Sequence, residues 1–167
     1  ATVNIAAYST DVKDYQATVV DANLGAIRPY LANVEKVEVK GVEFDGKLRP
    51  TENLFIYGSL AYTDAKYASF RNGPAPLELQ SSSSSVTDLS GKRLPGVSEW
   101  AGSLAAEYTR PLSIGQLTGD GYISADVAWR SDWNSDPSVS KYTEVEGSTL
   151  TNLRVGYRAS GGTEVFV

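Results

Sequence analysis

The 167-residue sequence contains no cysteine, no histidine and no methionine. Without cysteine, disulfides, Fe–S clusters and thiol chemistry are excluded. Without histidine, the usual zinc and non-haem iron sites disappear, together with every Ser-His or Cys-His nucleophile pair. No catalytic residues, no cofactor and no metal are therefore expected, and the chain reads as a non-enzyme. Positive charge is also short: 15 Lys and Arg against 20 Asp and Glu leave a net charge of −5. That balance argues against nucleic acid as a partner, because phosphate binding needs a basic face. Long apolar runs are missing too. Nothing approaches the ~20 apolar residues of a transmembrane helix, so any membrane crossing must be made by strands. The sequence has no initiator Met and no signal segment. Its first residues, Ala1–Tyr8, look like mid-strand sequence, and Thr163–Val167 look like a strand just begun. Both ends are expected to be cut from something longer.

What is present is alternation. Apolar and polar residues alternate over stretches of about ten, the pattern of strands with lipid on one face and a wet lumen on the other. From Ser98 to Thr109, one face carries Trp100, Gly102, Leu104, Ala106 and Tyr108. The other carries Glu99, Ala101, Ser103, Ala105, Glu107 and Thr109. Trp100 and Tyr108 lie roughly 26 Å apart along such a strand. A tilt near 40° reduces this to about 20 Å, close to the spacing of two aromatic girdles.

Six strands and the start of a seventh follow from the same pattern: about Thr2–Tyr15, Asn33–Leu48, Leu54–Phe70, Ser98–Thr109, Gly121–Trp133, Thr149–Arg158 and the terminal Thr163–Val167. In the second strand, Val37 and Val39 alternate against Lys36, Glu38 and Lys40. The phase slips near Gly41, where Val42 and Phe44 become the apolar pair; a bulge is expected there. Short links are expected at Arg49–Asn53 and around Ser160–Gly162, and one of moderate length at Pro111–Asp120. Long ones are expected at Gln16–Ala32, Arg71–Val97 and Ser131–Ser148. Short and long alternate, as they do when short turns face the periplasm and long loops face outward. The run Ser81–Ser85 is expected to be a flexible external segment. The fold class is all-β: an antiparallel up-and-down transmembrane β-barrel segment forming one partial barrel domain over 1–167.

The aligned faces nominate residues. Trp100, Tyr108, Trp129 and Tyr157 are expected to form the lipid-facing aromatic girdle. Asp126, Arg130, Arg154 and Arg158 fall on the lumen faces of the fifth and sixth strands. There they contact a ligand path, or serve as ordinary wet-lumen residues paired across strands. Arg154 and Arg158 stand out because a guanidinium holds a carboxylate through two parallel bonds. Trp133, in an Asn- and Asp-rich loop, either stacks on a ligand ring or packs its own loop. Asp132, Asn134 and Asp136 have the spacing that opens a calcium loop. Position six from Asp132 is Pro137 and position twelve is Thr143, so an EF-hand is rejected and only a weak surface site remains. Glu43 and Asp45 alternate on one strand face without the pocket or partner that acid–base chemistry needs.

Several segments taken in order resemble TonB-dependent outer-membrane receptors, specifically the later part of their barrel. They are Val39-Lys40-Gly41-Val42-Glu43-Phe44, Leu48-Arg49-Pro50-Thr51-Glu52-Asn53-Leu54, Gly58–Tyr67, Gly91-Lys92-Arg93-Leu94-Pro95 and Thr149–Arg158. The resemblance implies energised import of a scarce nutrient (siderophore-iron, cobalamin, a metal or an oligosaccharide) across the outer membrane of a Gram-negative bacterium. It also implies as partners outer-membrane lipid, the remainder of the barrel, a plug domain, TonB and a small nutrient ligand. The plug and the closing strands of the family fall outside this stretch. The chain alone is therefore expected neither to close a pore nor to couple to TonB. Two other readings remain open: a passive porin-like channel, and a soluble β-rich binding or structural protein whose apolar face meets a second sheet.

Overall fold

The computed structural model describes residues 1–21, 28–79 and 86–167. Seven strands form one antiparallel sheet in sequence order: β1 Thr2–Asp21, β2 Arg28–Leu48, β3 Leu54–Ser69, β4 Trp100–Ile114, β5 Leu117–Arg130, β6 Ser148–Ala159 and β7 Glu164–Phe166. Neighbours joined by tight turns, as at 49–53 and 115–116, can only pair antiparallel, and β3–β4 and β5–β6 pair the same way across the long links. Register places the alternating residues as the sequence predicts. Gly102 faces Trp129, Leu104 faces Val127, Ala106 faces Ala125 and Tyr108 faces Ile123. Ile123 in turn faces Val155, and Ala125 faces Leu153. Directly opposed residues share a face, so one face of β3–β6 is a continuous apolar sheet. Leu104, Ile123, Leu153 and Val155 on it are exposed. Among the described residues no second sheet covers them. A soluble sandwich would have to bury this face against a second sheet.

Three expectations are corrected. The first concerns Gln16–Ala32, predicted as a long loop. There β1 and β2 stay paired as far as Asp21 opposite Arg28, leaving only 22–27 between the strands. The alternation was hidden because the phase reverses: Asp14 takes a left-handed conformation at φ 54°, and Val34 and Val37, three residues apart, join one buried cluster. Three residues apart on a regular strand would face opposite ways.

The second correction concerns Pro111–Asp120. These residues are not a loop of moderate length but two strand ends closed by Gly115-Gln116, with Ile114 opposite Leu117. Gly115 has φ +63°, the conformation a two-residue hairpin needs at its first central position. The third concerns the bulge expected at Gly41. Pairing runs unbroken through Tyr8–Gly41 and Gly41–Thr63, and the register shift lies at Lys36/Val37 instead.

What changes at Gly41 is the covering, not the phase. Above it, Val37 and Val39 turn onto the polar face and pack with the loop core; below it, Val42 and Phe44 are exposed on the opposite face. Gly41 itself leaves room for the Tyr8 ring, which a Cβ would strike along with the Tyr62 carbonyl.

Short turns and long links sit at opposite ends of the sheet, with the long ones running from 70 to 99 and from 131 to 147. The run Ser81–Ser85 lies outside the described residues. The first of these links folds back along β3: Tyr67 N–H donates to Lys92 O, Gly91 N–H to Tyr67 O and Leu94 N–H to Ala65 O, at 2.9, 2.7 and 2.8 Å. The fold's apolar core lies here: Ala17, Val19, Ala32, Val34, Val37, Tyr67, Phe70 and Leu89, with Val39, Leu94 and Val139 against it. It is an outer-end core made of strand tops and loops.

Candidate functional site

Polar side chains on the inner face are positioned by strand alternation alone. Asp126, Arg130, Arg154 and Arg158 all occupy it, since Asp126 opposes Asn152, Arg130 opposes Ser148, Arg154 opposes Ser124 and Arg158 opposes Asp120. They do not converge. Ser148, the partner of Arg130, lies ten positions above Arg158 on β6, roughly 34 Å of strand.

At the short-turn end, Arg158 is the centre of a cluster. Its Nη1 and Nη2 donate to the two Glu107 carboxylate oxygens at 2.8 and 3.0 Å, the bidentate arrangement, and Nε donates to Glu164 at 3.3 Å. Tyr122 completes it: the guanidinium lies 3.9 Å from its ring centroid, and its hydroxyl donates to Glu164 at 2.6 Å. Glu107, Tyr122 and Glu164 were not nominated from sequence. Glu107 sits two strands from Arg158, and nothing in either strand's own pattern signals that diagonal.

Higher up, Asn152 donates to Asp126 at 2.8 Å, and the Arg154 guanidinium lies 4.5 Å from the Phe166 ring centroid. At the long-loop end the Arg130 guanidinium covers the Trp133 indole at 5.2 Å. Trp133 lies outside β5, in a two-residue bridge with Glu144–Val145. Its buried Nε1 has no hydrogen-bond partner among the described residues. Arg130, Trp133 and the loop above them form the outermost nominated group.

That loop is tightly built. Asn134 donates to Ser140 O at 2.7 Å and accepts from Asp136 N–H and the Thr143 hydroxyl. Asp136 accepts from Ser138 N–H at 2.9 Å. Asp132 instead pairs with Arg93 at 2.9 Å. The calcium-like triplet therefore spends its oxygens on separate partners, and among the described residues no acidic group gathers as a metal set.

Two charged side chains, Arg93 and Glu78, help fasten this loop to the 70–99 link, beside the Gly96 N–H to Asn134 O and Ser98 hydroxyl to Ser131 O bonds. Arg93 reaches Asp132 and also Glu99, the latter at 2.6 Å. Burial works against its charge, but the two carboxylates outweigh that effect and its pKa is raised. Glu78 accepts from the Ser140 hydroxyl at 2.6 Å and from Lys141 N–H at 3.2 Å. The Ser140 hydroxyl, chiefly, holds the Glu78 carboxyl below the ordinary range. A carboxyl depressed on folding stabilises above its unfolded value and loses that contribution as pH falls through the folded one. Acidification below about pH 4 is thus expected to free the 131–147 loop. Limited proteolysis across pH checks this: cleavage in that loop should rise with acid in the wild type, and should rise less in Glu78→Gln, which keeps only the Arg93 pairs with Asp132 and Glu99 to titrate.

On the opposite face, Trp100, Tyr108 and Trp129 are exposed, and the Trp100 ring lies 4.8 Å from that of Tyr62. Tyr157 donates to Leu117 O at 3.1 Å and to Leu112 O at 3.3 Å, bracing the β4–β5 hairpin. Trp100 and Trp129 lie toward the long-loop end, and Tyr108 and Tyr157 toward the turns, with Leu104, Val127, Ala125 and Leu153 between. Aromatic side chains thus stand at both ends of an apolar stretch of this face.

A sheet apolar outside and polar inside, with turns at one end and folded loops at the other, defines a wall segment of a transmembrane β-barrel. The sequence matches the family described as TonB dependent receptor-like, beta-barrel, over residues 1–165, and the chain belongs to that family. Among solved structures it is similar to the siderophore receptor PiuA from Acinetobacter baumannii. The match has 19% identity and a TM-score of 0.58, and covers 93% of this chain. The chain spans 20% of that receptor's length.

Proposed function

We propose that this chain is part of the barrel wall of an outer-membrane receptor that imports a scarce nutrient in an energised, non-enzymatic way. The observation carrying the reading is the family match over 1–165 on a sheet whose outer face is uncovered and apolar. Among the described residues the inner face gathers Arg158 with Glu107 and Glu164 and spreads its other charges along the wall, as a polar path through a barrel requires. An iron–siderophore complex is the first ligand class to test, because the structural neighbour is a siderophore receptor. On this reading, Arg130 and Trp133 meet the ligand at the outer mouth. Asp126 and Arg154 line the path below, and Arg158, already held by Glu107 and Glu164, faces the plug domain. The remaining partners are TonB, engaged through the plug, and the other barrel strands, which pair with the edges of β1 and β7.

The test is uptake of radiolabelled ferric siderophores by Gram-negative cells producing the full receptor, with and without TonB. Receptor-dependent uptake that vanishes without TonB is expected. Uptake that persists without TonB overturns the energised reading in favour of a passive channel.

A further inference from the structure

The outward faces of β4, β5 and β6 carry one charge between them. β4 presents Trp100, Gly102, Leu104, Ala106, Tyr108, Arg110, Leu112 and Ile114; β5 and β6 present only Gly, Ala, Thr and larger apolar residues in register with these. Arg110 is exposed, opposes Gly121, and has no carboxylate in ion-pair distance among the described residues. Its place is also specific. It follows Tyr108, of the aromatic row nearest the short turns, by two residues, which puts it at headgroup depth in the periplasmic leaflet. Beside it lies a groove of about 400 Å³ lined by Tyr108, Arg110, Pro111, Leu112 and Ile123, with the backbone around Gly121 as its floor.

Elsewhere on the outward face, charge gathers at the outer end, and among the described residues every charge there except Lys13, which lies opposite Lys36, has an ion-pair partner. Beyond the opposite girdle, Lys36 pairs with Asp11 at 3.0 Å, and Lys40 and Lys66 pair with Glu38 at 2.8 and 3.5 Å. An arginine left without a counter-ion on an apolar wall is the exception, and a guanidinium matches a phosphate through two parallel bonds. Gly121 carries no side chain, and Leu112 leans over it, 3.2 Å from where a Cβ would stand, so Leu112 forms one apolar wall of the groove.

Resting on the barrel reading above, we propose that Arg110 and this groove form a binding site for an anionic phospholipid of the periplasmic leaflet. The phosphate sits on the Arg110 guanidinium, and one acyl chain runs along Tyr108 and Ile123 toward the bilayer centre.

Native mass spectrometry of the full receptor, released from nanodiscs of equal phosphatidylglycerol and phosphatidylcholine, tests it. Wild type is expected to retain phosphatidylglycerol preferentially. Arg110→Gln should lower that retention about fivefold, the weight of one cation at an anionic surface, and Arg110→Lys should keep part of it. Equal retention by wild type and Arg110→Gln, or no preference for phosphatidylglycerol in the wild type, overturns the site. Heat-modifiable migration of the same samples separates the two readings. A folded barrel with unchanged lipid retention sinks only the lipid site, whereas a wild type that forms no heat-modifiable barrel sinks the wall assignment itself.

Discussion

Tyr67→Ala is expected to unfasten the outer loops from the wall while leaving the transmembrane sheet assembled. Tyr67 is fully buried, at 0% exposure. Its ring packs on Phe70 with centroids 4.9 Å apart, and its hydroxyl donates to Pro137 O at 3.3 Å. One side chain thus joins β3, the 70–99 link and the 131–147 loop. Truncating an aromatic of this burial typically costs about 3–5 kcal/mol, because the surroundings do not close over the cavity. That loss falls on the loop core rather than on the lipid-facing strands. Limited proteolysis should therefore show new cuts in both links, with the heat-modifiable mobility of the barrel unchanged. Tyr67→Phe removes only the bond to Pro137, worth about 1 kcal/mol, and should remain protected. Equal protection of Tyr67→Ala would mean the loops hold together without this core.

Gly102→Val should act on the opposite face and on assembly itself. Gly102 opposes Trp129, and the indole occupies the space above it, so that a Cβ would meet the ring and also approach the Ser59 carbonyl at 2.9 Å. The ring can turn away only by leaving its place on the outward face, and the carbonyl belongs to the neighbouring strand. Overpacking of this kind costs about 1–3 kcal/mol where it can be relieved, and here one contact is backbone. The folded fraction in outer-membrane preparations, read by heat-modifiable migration, should fall sharply. The pair is coupled: Gly102→Ala should cost less in a Trp129→Leu background than in the wild type. Additive costs would show that the ring does not depend on the glycine.

The same device recurs on the polar face, where Tyr8 covers Gly41 and Tyr122 covers Gly156. Such pairs explain which parts of the fold were legible in the sequence. Where each strand had lipid on one side and water on the other, a period of two sorted the residues, and the faces of Trp100–Tyr108, Ile123–Trp129 and Leu153–Tyr157 followed directly. Where both sides meet water or loops, the sorting force weakens. Ala17, Val19 and Ala32 fall in the stretch expected to be loop because they are buried in a cluster with Phe70 and Leu89, which no local period announces. Pro111–Asp120 is expected as loop because its glycines, Gly115 and Gly119, look like turn residues, although only Gly115 makes the turn.

The site was legible in its faces and not in its partners. Asp126, Arg130, Arg154 and Arg158 were placed on the polar face by alternation. That Arg158 is held by Glu107 depends on register across an intervening strand, and that Asp132 turns to Arg93 depends on a loop folding back along β3. Neither relation has a signature within one segment.

The exchange of coverings at Gly41 also fixes how deep the wall sits in its membrane. Along β2, Val37 and Val39 are apolar toward the loops, Lys40 is the last outward charge, and Val42 and Phe44 begin the outward hydrocarbon surface. Sinking the barrel would draw Lys40, Lys66 and their carboxylates toward hydrocarbon, where an outward lysine costs about 2–4 kcal/mol at the midplane against almost nothing at the edge. Raising it would lift Phe44, Tyr62 and Trp100 into water. The strand thereby carries its own waterline, and the vertical draught of the barrel is set by two residues on either side of one glycine.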